Sequence, residues 1–256
     1  MGTTRSNGSL YTNIVNGIAT IEFGHPASNS FVLELLERLT KALGELSNNE
    51  EVSVIILKSE GDRTFCAGAS LDELLEVDSI SEGKIFFSGF AHLINAMRNC
   101  KKLIVGRVQG KAVGGGVGII ASCDYVFALE AASIRLSELS IGIAPLVIAS
   151  AVQRKIGVAA LSELSLSPNE WKSAYWAQEK GLFSKVFGEQ GEMDKELEIF
   201  TEKLAQYNTE AMEEWKKVLW EGTGHWDTLL TNRAEITGRL AISEETRKAL
   251  EKFKNN

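Results

Sequence analysis

Three short, uninterrupted apolar runs constrain this chain more than any other feature. Residues 54–58 (VIILK), Leu103–Val108 (LIVGRV) and residues 125–128 (YVFA) are too short for buried helices and lack the polar alternation of half-exposed strands. They read as strands covered on both faces, as in a parallel sheet. Helical periodicity marks 31–46, with Ser30 as its candidate cap, before the first run, and 71–75 and 83–99 between the first two. Strands alternating with helices imply right-handed crossovers and an α/β fold. Ahead of them, residues 11–23 read as a hairpin turning at Asn16-Gly17, followed by a loop over 26–30. A short extended piece is expected around 133–136. Beyond Ala144-Pro145, residues 149–166 and 169–180 read as helices, 184–187 as a last strand, and 192–254 as charged helices. The expected organisation is a core over 1–190 and a helical region over 191–256 that serves as a lid or an oligomer arm.

Composition removes several functions. The chain has 256 residues with 27 Lys and Arg against 34 Asp and Glu, a net charge of −7. An acidic chain is a poor binder of nucleic acid, where affinity comes mainly from neutralising phosphates. No apolar run reaches the roughly 18–20 residues of a membrane span. The first residues, MGTTRSNGSL, show no apolar signal region, although Gly2 and Ser6 fit the formal myristoylation pattern. Cys66, Cys100 and Cys123 form neither a CxxC nor a zinc pattern, so no metal site and no disulfide are expected, and reduced thiols point to the cytoplasm.

Two small-residue loops follow apolar runs. One is 65–70 (FCAGAS), the other 110–118 (GKAVGGGVG), with a helix expected to begin near Val117. Without bulky side chains, both leave backbone N–H groups open to a ligand, and a helix N-terminus favours an anion. Two such donors converging on one point make an oxyanion hole, where each is worth about 2.7–4 kcal/mol of transition-state stabilisation. Two other readings stand beside this one. Gly116–Ala121 fits G-x-G-x-x-A, a dinucleotide-binding pattern, although no acidic residue ends a second strand about 20 positions on. The glycines would also serve simply to pack a helix against a sheet.

Proton-transfer candidates are few. His25, His92 and His225 are isolated, and no G-x-S-x-G elbow accompanies them. Glu138 lies in an apolar stretch, IRLSELSIGI, where lost hydration would raise its pKa and make it a base near neutrality. A surface turn is the alternative. Asp124 reads as a structural residue that ties down backbone. Phe86, Phe87, Phe90, Leu146 and Trp171 are either pocket lining or core, and Trp215, Trp220 and Trp226 either packing or subunit contacts.

FCAGASLDEL, KLIVGRVQGKAVGGGVGIIASCDYVFA and IRLSELSIGIAP, with the later Ser173-Ala174 and Gly181-Leu182-Phe183, together resemble the crotonase superfamily, the enoyl-CoA hydratase/isomerase family. The resemblance covers roughly residues 10–190 well and the tail more loosely. It implies a spiral of ββα repeats with a C-terminal helical trimerisation region, forming a homotrimer or a dimer of trimers. It implies an enzyme acting on an acyl-CoA thioester, with coenzyme A as part of the substrate and no separate cofactor. The oxyanion donors carry over to the amides of Ala69 and Gly115, and the substrate-binding segment to Ala67, Ala69, Ser70, Leu71, Asp72 and Gly115. Hydratases of the family carry two catalytic glutamates. Glu138 stands at one position, while Gly118 leaves the second carboxylate position vacant, as the single-Glu isomerases of the family do. The resemblance therefore implies a 3-enoyl-CoA to 2-enoyl-CoA isomerase. The alternatives are a hydratase or other crotonase reaction using Arg135, Glu73 or Glu82 as a second group, a non-catalytic acyl-CoA-binding protein, and a nicotinamide oxidoreductase. Ser70 and Asp72 stand where the family commonly has Asp and a basic residue, so Lys101, Lys111, Lys252 or Lys254 would serve the CoA phosphates, with Phe253 near the adenine.

Overall fold

The computed structural model describes residues 7–254, so Gly2 and Ser6 lie outside the described residues. The hairpin is β1 (Ser9–Val15) and β2 (Ile18–Gly24), joined by Asn16 and Gly17 at φ of 51° and 81°, the left-handed pair that a two-residue turn needs. Helix α1 (Leu33–Ser47) follows. Three successive ββα units then repeat one path. The first is β3 (Val54–Ser59), β4 (Thr64–Cys66) and the helices α2 (Leu71–Glu76) and α3 (Ile80–Asn99). The second is β5 (Leu103–Val108), β6 (Lys111–Val113) and α4 (Gly115–Ser122). The third is β7 (Tyr125–Leu129), β8 (Ser133–Arg135), a single 3-10 turn (Glu138–Ile141) and α5 (Leu146–Leu166). The chain closes with β9 (Lys172–Ser173), α6 (Ala174–Glu179), β10 (Lys185–Phe187), α7 (Gln190–Ala205), α8 (Thr209–Leu219), α9 (Trp226–Ala241) and α10 (Glu244–Lys254).

The first strand of each unit enters a six-stranded sheet of order β1-β2-β3-β5-β7-β10, parallel except for the hairpin. The second strand enters a four-stranded sheet, β4-β6-β8-β9. The continuous apolar runs are thereby explained. Val54, Val105 and Phe127 face α7, while Ile55, Leu57, Ile104 and Val126 face the main core beneath α1 and α3. Because β4, β6 and β8 pair in parallel, the bends that follow them emerge side by side from one edge.

Four local expectations need correction. Helix α1 begins at Leu33 with Val32 as N-cap, and no cap comes from Ser30, whose hydroxyl lies 3.1 Å from His25 Nδ1. The cap arrives from another element: the Leu33 N–H donates to Glu73 Oε2 at 2.8 Å. Helix α3 starts at Ile80, because Ser79 and Glu82 form a reciprocal capping box. Helix α5 begins at Leu146 and is broken at Gly157, which has φ of 75°. The helix expected over 169–180 is instead the strand β9 followed by α6, with the Ser173 hydroxyl accepting from Trp176 N–H at its start.

The tail folds back on its own chain. Helix α9 packs against α3 and α5, and α10 against α2 and the 3-10 turn. Thr246 on α10 is fully buried and its hydroxyl donates to the Gly142 carbonyl at 3.0 Å. Helix α8 is tied down by Asp124. One Asp124 oxygen accepts from Ile104 N–H at 2.7 Å and Lys216 Nζ at 2.9 Å, the other from Trp220 Nε1 at 2.8 Å. Lys216 is only 2% exposed, so its charge has no water to fall back on. Removing one member of a buried pair leaves the other uncompensated, which costs about 3–5 kcal/mol. Asp124→Ala is therefore expected to lower unfolding free energy by about that amount in urea titration, and an effect below 1 kcal/mol would contradict the hub.

Candidate active site

The three adjacent bends enclose one cavity of about 440 Å³. The first bend, from β4 to α2, is stitched to Phe31 on both sides: Phe31 N–H donates to the Gly68 carbonyl at 2.7 Å, and Ser70 N–H to the Phe31 carbonyl at 2.8 Å. The Ala69 amide between them donates to no acceptor among the described residues. The second bend places Gly115 at the first turn of α4, and its amide is equally unused. A Cβ built on Gly68 would lie 3.8 Å from Gly115 N, so the two bends are in contact. The expected pair of donors is thus brought together, one of them at the positive end of a helix.

The third bend supplies the acid. Glu138 opens the 3-10 turn and lines the same cavity as Ala69 and Gly115. Its Oε2 is buried with no hydrogen-bond partner. Burial away from water pushes its pKa from 4.5 up to about 7, opposed only by its own backbone N–H. This is the protonation range a general base needs near neutral pH. Gly114 sets its distance to the hole. That residue has φ of 51° and ψ of −117°, open to glycine alone, and a Cβ there would sit 2.9 Å from Glu138 Oε1. Gly114→Ala is expected to cost about 1–3 kcal/mol of stability from backbone strain and to displace the carboxylate. The check is unfolding together with α-proton exchange of a bound acyl-CoA; unchanged values in both would contradict this placement.

Ala67, Ser70, Leu71 and Asp72 also line the cavity, and Ser70 caps α2 by accepting from Glu73 N–H at 3.3 Å. Of the proposed second groups, Glu73 is occupied as the cap of α1 and Glu82 in its capping box. Arg135 lines the cavity and stacks on Trp171. Phe87, Phe90 and Leu146 are lining, while Phe86 belongs to the core. Trp220 and Trp226 pack edge to face in the interior, and Trp215 is exposed. Lys101 is bonded to Asn48 and does not line the cavity, whereas Lys111 sits over Trp171. The side chains of Phe253 and Lys254 lie outside the described residues. The G-x-G-x-x-A pattern is interior. Residues 116–121 are fully buried, and Gly116 and Gly118 press on Cys66 and Ile148, so no phosphate approaches them.

The position of Gly118 is filled rather than empty. A Cβ there would stand 2.4 Å from Ile148 Cγ2 and 2.6 Å from Ile148 Cβ. The space a second carboxylate would take is held by a branched apolar side chain from the first turn of α5. Ile148 escaped the sequence reading because nothing in its local pattern says which wall of which cavity it meets. The same holds for Ile141, Ile143, Val147 and Thr237, which also line the cavity.

Comparison with known proteins gives the family and the fold. The model of the family described as enoyl-CoA hydratase/isomerase matches residues 13–255. A peroxisomal Delta(3,5)-Delta(2,4)-dienoyl-CoA isomerase of Arabidopsis thaliana is 29% identical over 203 residues, covering 75% of this chain and 72% of the relative. A short-chain-enoyl-CoA hydratase of Clostridium acetobutylicum is 27% identical over 239 residues, covering 92% and 90%. The crystal structure of an enoyl-CoA hydratase from Bacillus halodurans superposes with a TM-score of 0.88 at 23% identity, over 95% of this chain and 99% of that one, and shows the fold.

Proposed function

This chain belongs to the enoyl-CoA hydratase/isomerase family and is an enzyme of that type; from that premise we propose that it moves a double bond, converting a 3-enoyl-CoA to a 2-enoyl-CoA. The thioester oxygen is held by the amides of Ala69 and Gly115. The CoA portion leaves along Ala67–Asp72 and the acyl chain runs past Glu138 towards Leu146, Val147 and Ile148. Glu138 removes the α-proton, the enolate charge develops on the held oxygen, and the protonated acid returns the proton at C4. Both amides gain most when that charge forms, which is the condition for catalysis rather than mere binding. The apolar lining excludes water and keeps the acid near its working pKa.

The observation that carries this reading is that Glu138 lines the cavity while the Gly118 position abuts the apolar side chain of Ile148. Addition of water needs a second group to hold and deprotonate that water, and the side chain at this place can do neither. The family's homotrimer, or a dimer of trimers, is proposed with it. The test is a panel of 2-enoyl-, 3-enoyl- and 3-hydroxyacyl-CoAs followed by mass spectrometry. Interconversion of the two enoyl isomers without loss or gain of 18 mass units is expected; conversion only between the 2-enoyl and 3-hydroxyacyl forms would establish a hydratase instead. Acyl-CoA binding with no turnover and no α-proton exchange would establish a binding protein.

A further inference from the structure

The small sheet carries two cations for which the double-bond shift has no use. Lys111 and Val113 are two residues apart on β6 and share a face. The register pairs Val113 with Arg135 on β8. It also pairs Ile134 with Lys172 on the antiparallel β9, which brings Trp171 opposite Arg135. The Arg135 guanidinium carbon lies 4.6 Å from the Trp171 ring centre, and Lys111 Nζ lies 5.1 Å from it. Two cations share one aromatic platform, and one of them lines the cavity that holds Glu138.

Neither has an acidic partner among the described residues, and Arg135 Nε is buried with no hydrogen bond. The buried Arg107 and Lys216 are each paired with an acid, Arg107 with Asp194 through two bonds of 2.6 and 3.0 Å and Lys216 with Asp124, whereas Arg135 is half-buried and Lys111 exposed. A guanidinium N–H buried without an acceptor is costly, and a purely hydrocarbon acyl chain would leave Arg135 Nε so. A carboxylate would meet it with two parallel hydrogen bonds, while the Trp171 face holds the guanidinium plane in place. Arg135 stands three residues before Glu138 and lines the same cavity; with the CoA portion placed along Ala67–Asp72, as proposed above, the acyl chain is the part of the substrate left to meet it.

We propose that the substrate carries a second anionic group, a carboxylate on its acyl chain, and that Arg135, backed by Lys111 on the Trp171 ring, binds it. This rests on the thioester orientation given above. It is tested by calorimetric binding of matched pairs: succinyl- against butyryl-CoA, glutaryl- against valeryl-CoA, adipyl- against hexanoyl-CoA. At the chain length that reaches Arg135, the carboxylated member should bind at least about tenfold more tightly than its neutral partner. Arg135→Ala should collapse that ratio towards one, and Arg135→Lys, a point charge without the fork, should recover only part of it.

Equal affinities within every pair would overturn the proposal. So would a carboxylate preference that survives in Arg135→Ala. Pantetheine thioesters, which lack the CoA nucleotide, separate the other anion source: if the Arg135→Ala loss appears with CoA esters and vanishes with pantetheine esters, the guanidinium serves a phosphate and the proposal fails. Deuterium exchange at the α-carbon of the same ligands keeps the two readings apart. Exchange without a carboxylate preference sinks this inference and leaves the Glu138 chemistry standing; a preference without exchange does the reverse.

Discussion

Glu138→Gln is expected to slow α-proton exchange by about 10²–10⁴-fold while making the folded protein more stable at pH 8. The loss follows from Glu138 lining the cavity beside the two free amides, with its Oε2 buried and unbonded, while the other carboxylate of the lining, Asp72, belongs to the first turn of α2. The gain follows from the same burial. In the unfolded chain this carboxyl titrates near 4.5, and in the fold near 7. Between those values the folded state holds a proton that the unfolded state has released, so stability falls as pH rises across the window, by up to about 3 kcal/mol in total. Glutamine is isosteric and uncharged, and it removes that slope. Denaturant titrations at pH 4.5 and pH 8 should therefore show the variant nearly level with the wild type at the lower pH and ahead of it at the higher. A variant less stable at both would mean that the carboxylate is satisfied in the fold. The rate should carry the same signature: kcat/KM for 3-enoyl-CoA rises with pH to a plateau above about 7, as the free acid loses its proton.

The second large effect concerns the filled carboxylate position. Gly118→Ala places a Cβ inside contact distance of Ile148, and such overpacking costs about 1–3 kcal/mol. Thermal unfolding should move down by roughly 2–4 °C for each kcal/mol in a chain of this size. Gly118→Glu adds a buried charge to the clash and should fare worse. Combining it with Ile148→Gly removes both clashing atoms, because the Ile148 Cα is 3.6 Å from the built Cβ. The double variant is expected to be more stable than Gly118→Glu alone and to be the first version of this protein to add water to a 2-enoyl-CoA. A wild-type protein as active in hydration as the double variant would show that Ile148 excludes nothing.

How much of this was written in the sequence differs from element to element. The strands were legible because VIILK and LIVGRV are buried on both faces, a state that leaves no polar alternation to misread. The hairpin was legible because Asn-Gly marks its own turn. Loop composition marked the two bends, the family resemblance named Ala69 and Gly115 within them, the apolar stretch marked Glu138, and the parallel pairing of β4, β6 and β8 is what unites them. Distant partners were not legible. The cap of α1 comes from Glu73, 40 residues along, so a nearby Ser30 misled. The stretch around Lys172 reads as helix by periodicity, yet it pairs with Ser133 and Ile134 to finish the small sheet. Ile148 at Gly118 and Trp171 under Arg135 are contacts between elements, and no local pattern announces either.

The most direct test of a one-acid double-bond shift is turnover of a 3-enoyl-CoA in water enriched in ¹⁸O, with the products read by mass spectrometry. The prediction is a 2-enoyl-CoA of unaltered oxygen content, formed by the wild type and not by Glu138→Gln. A 3-hydroxyacyl-CoA carrying ¹⁸O, made at a rate comparable to the isomer, would contradict it.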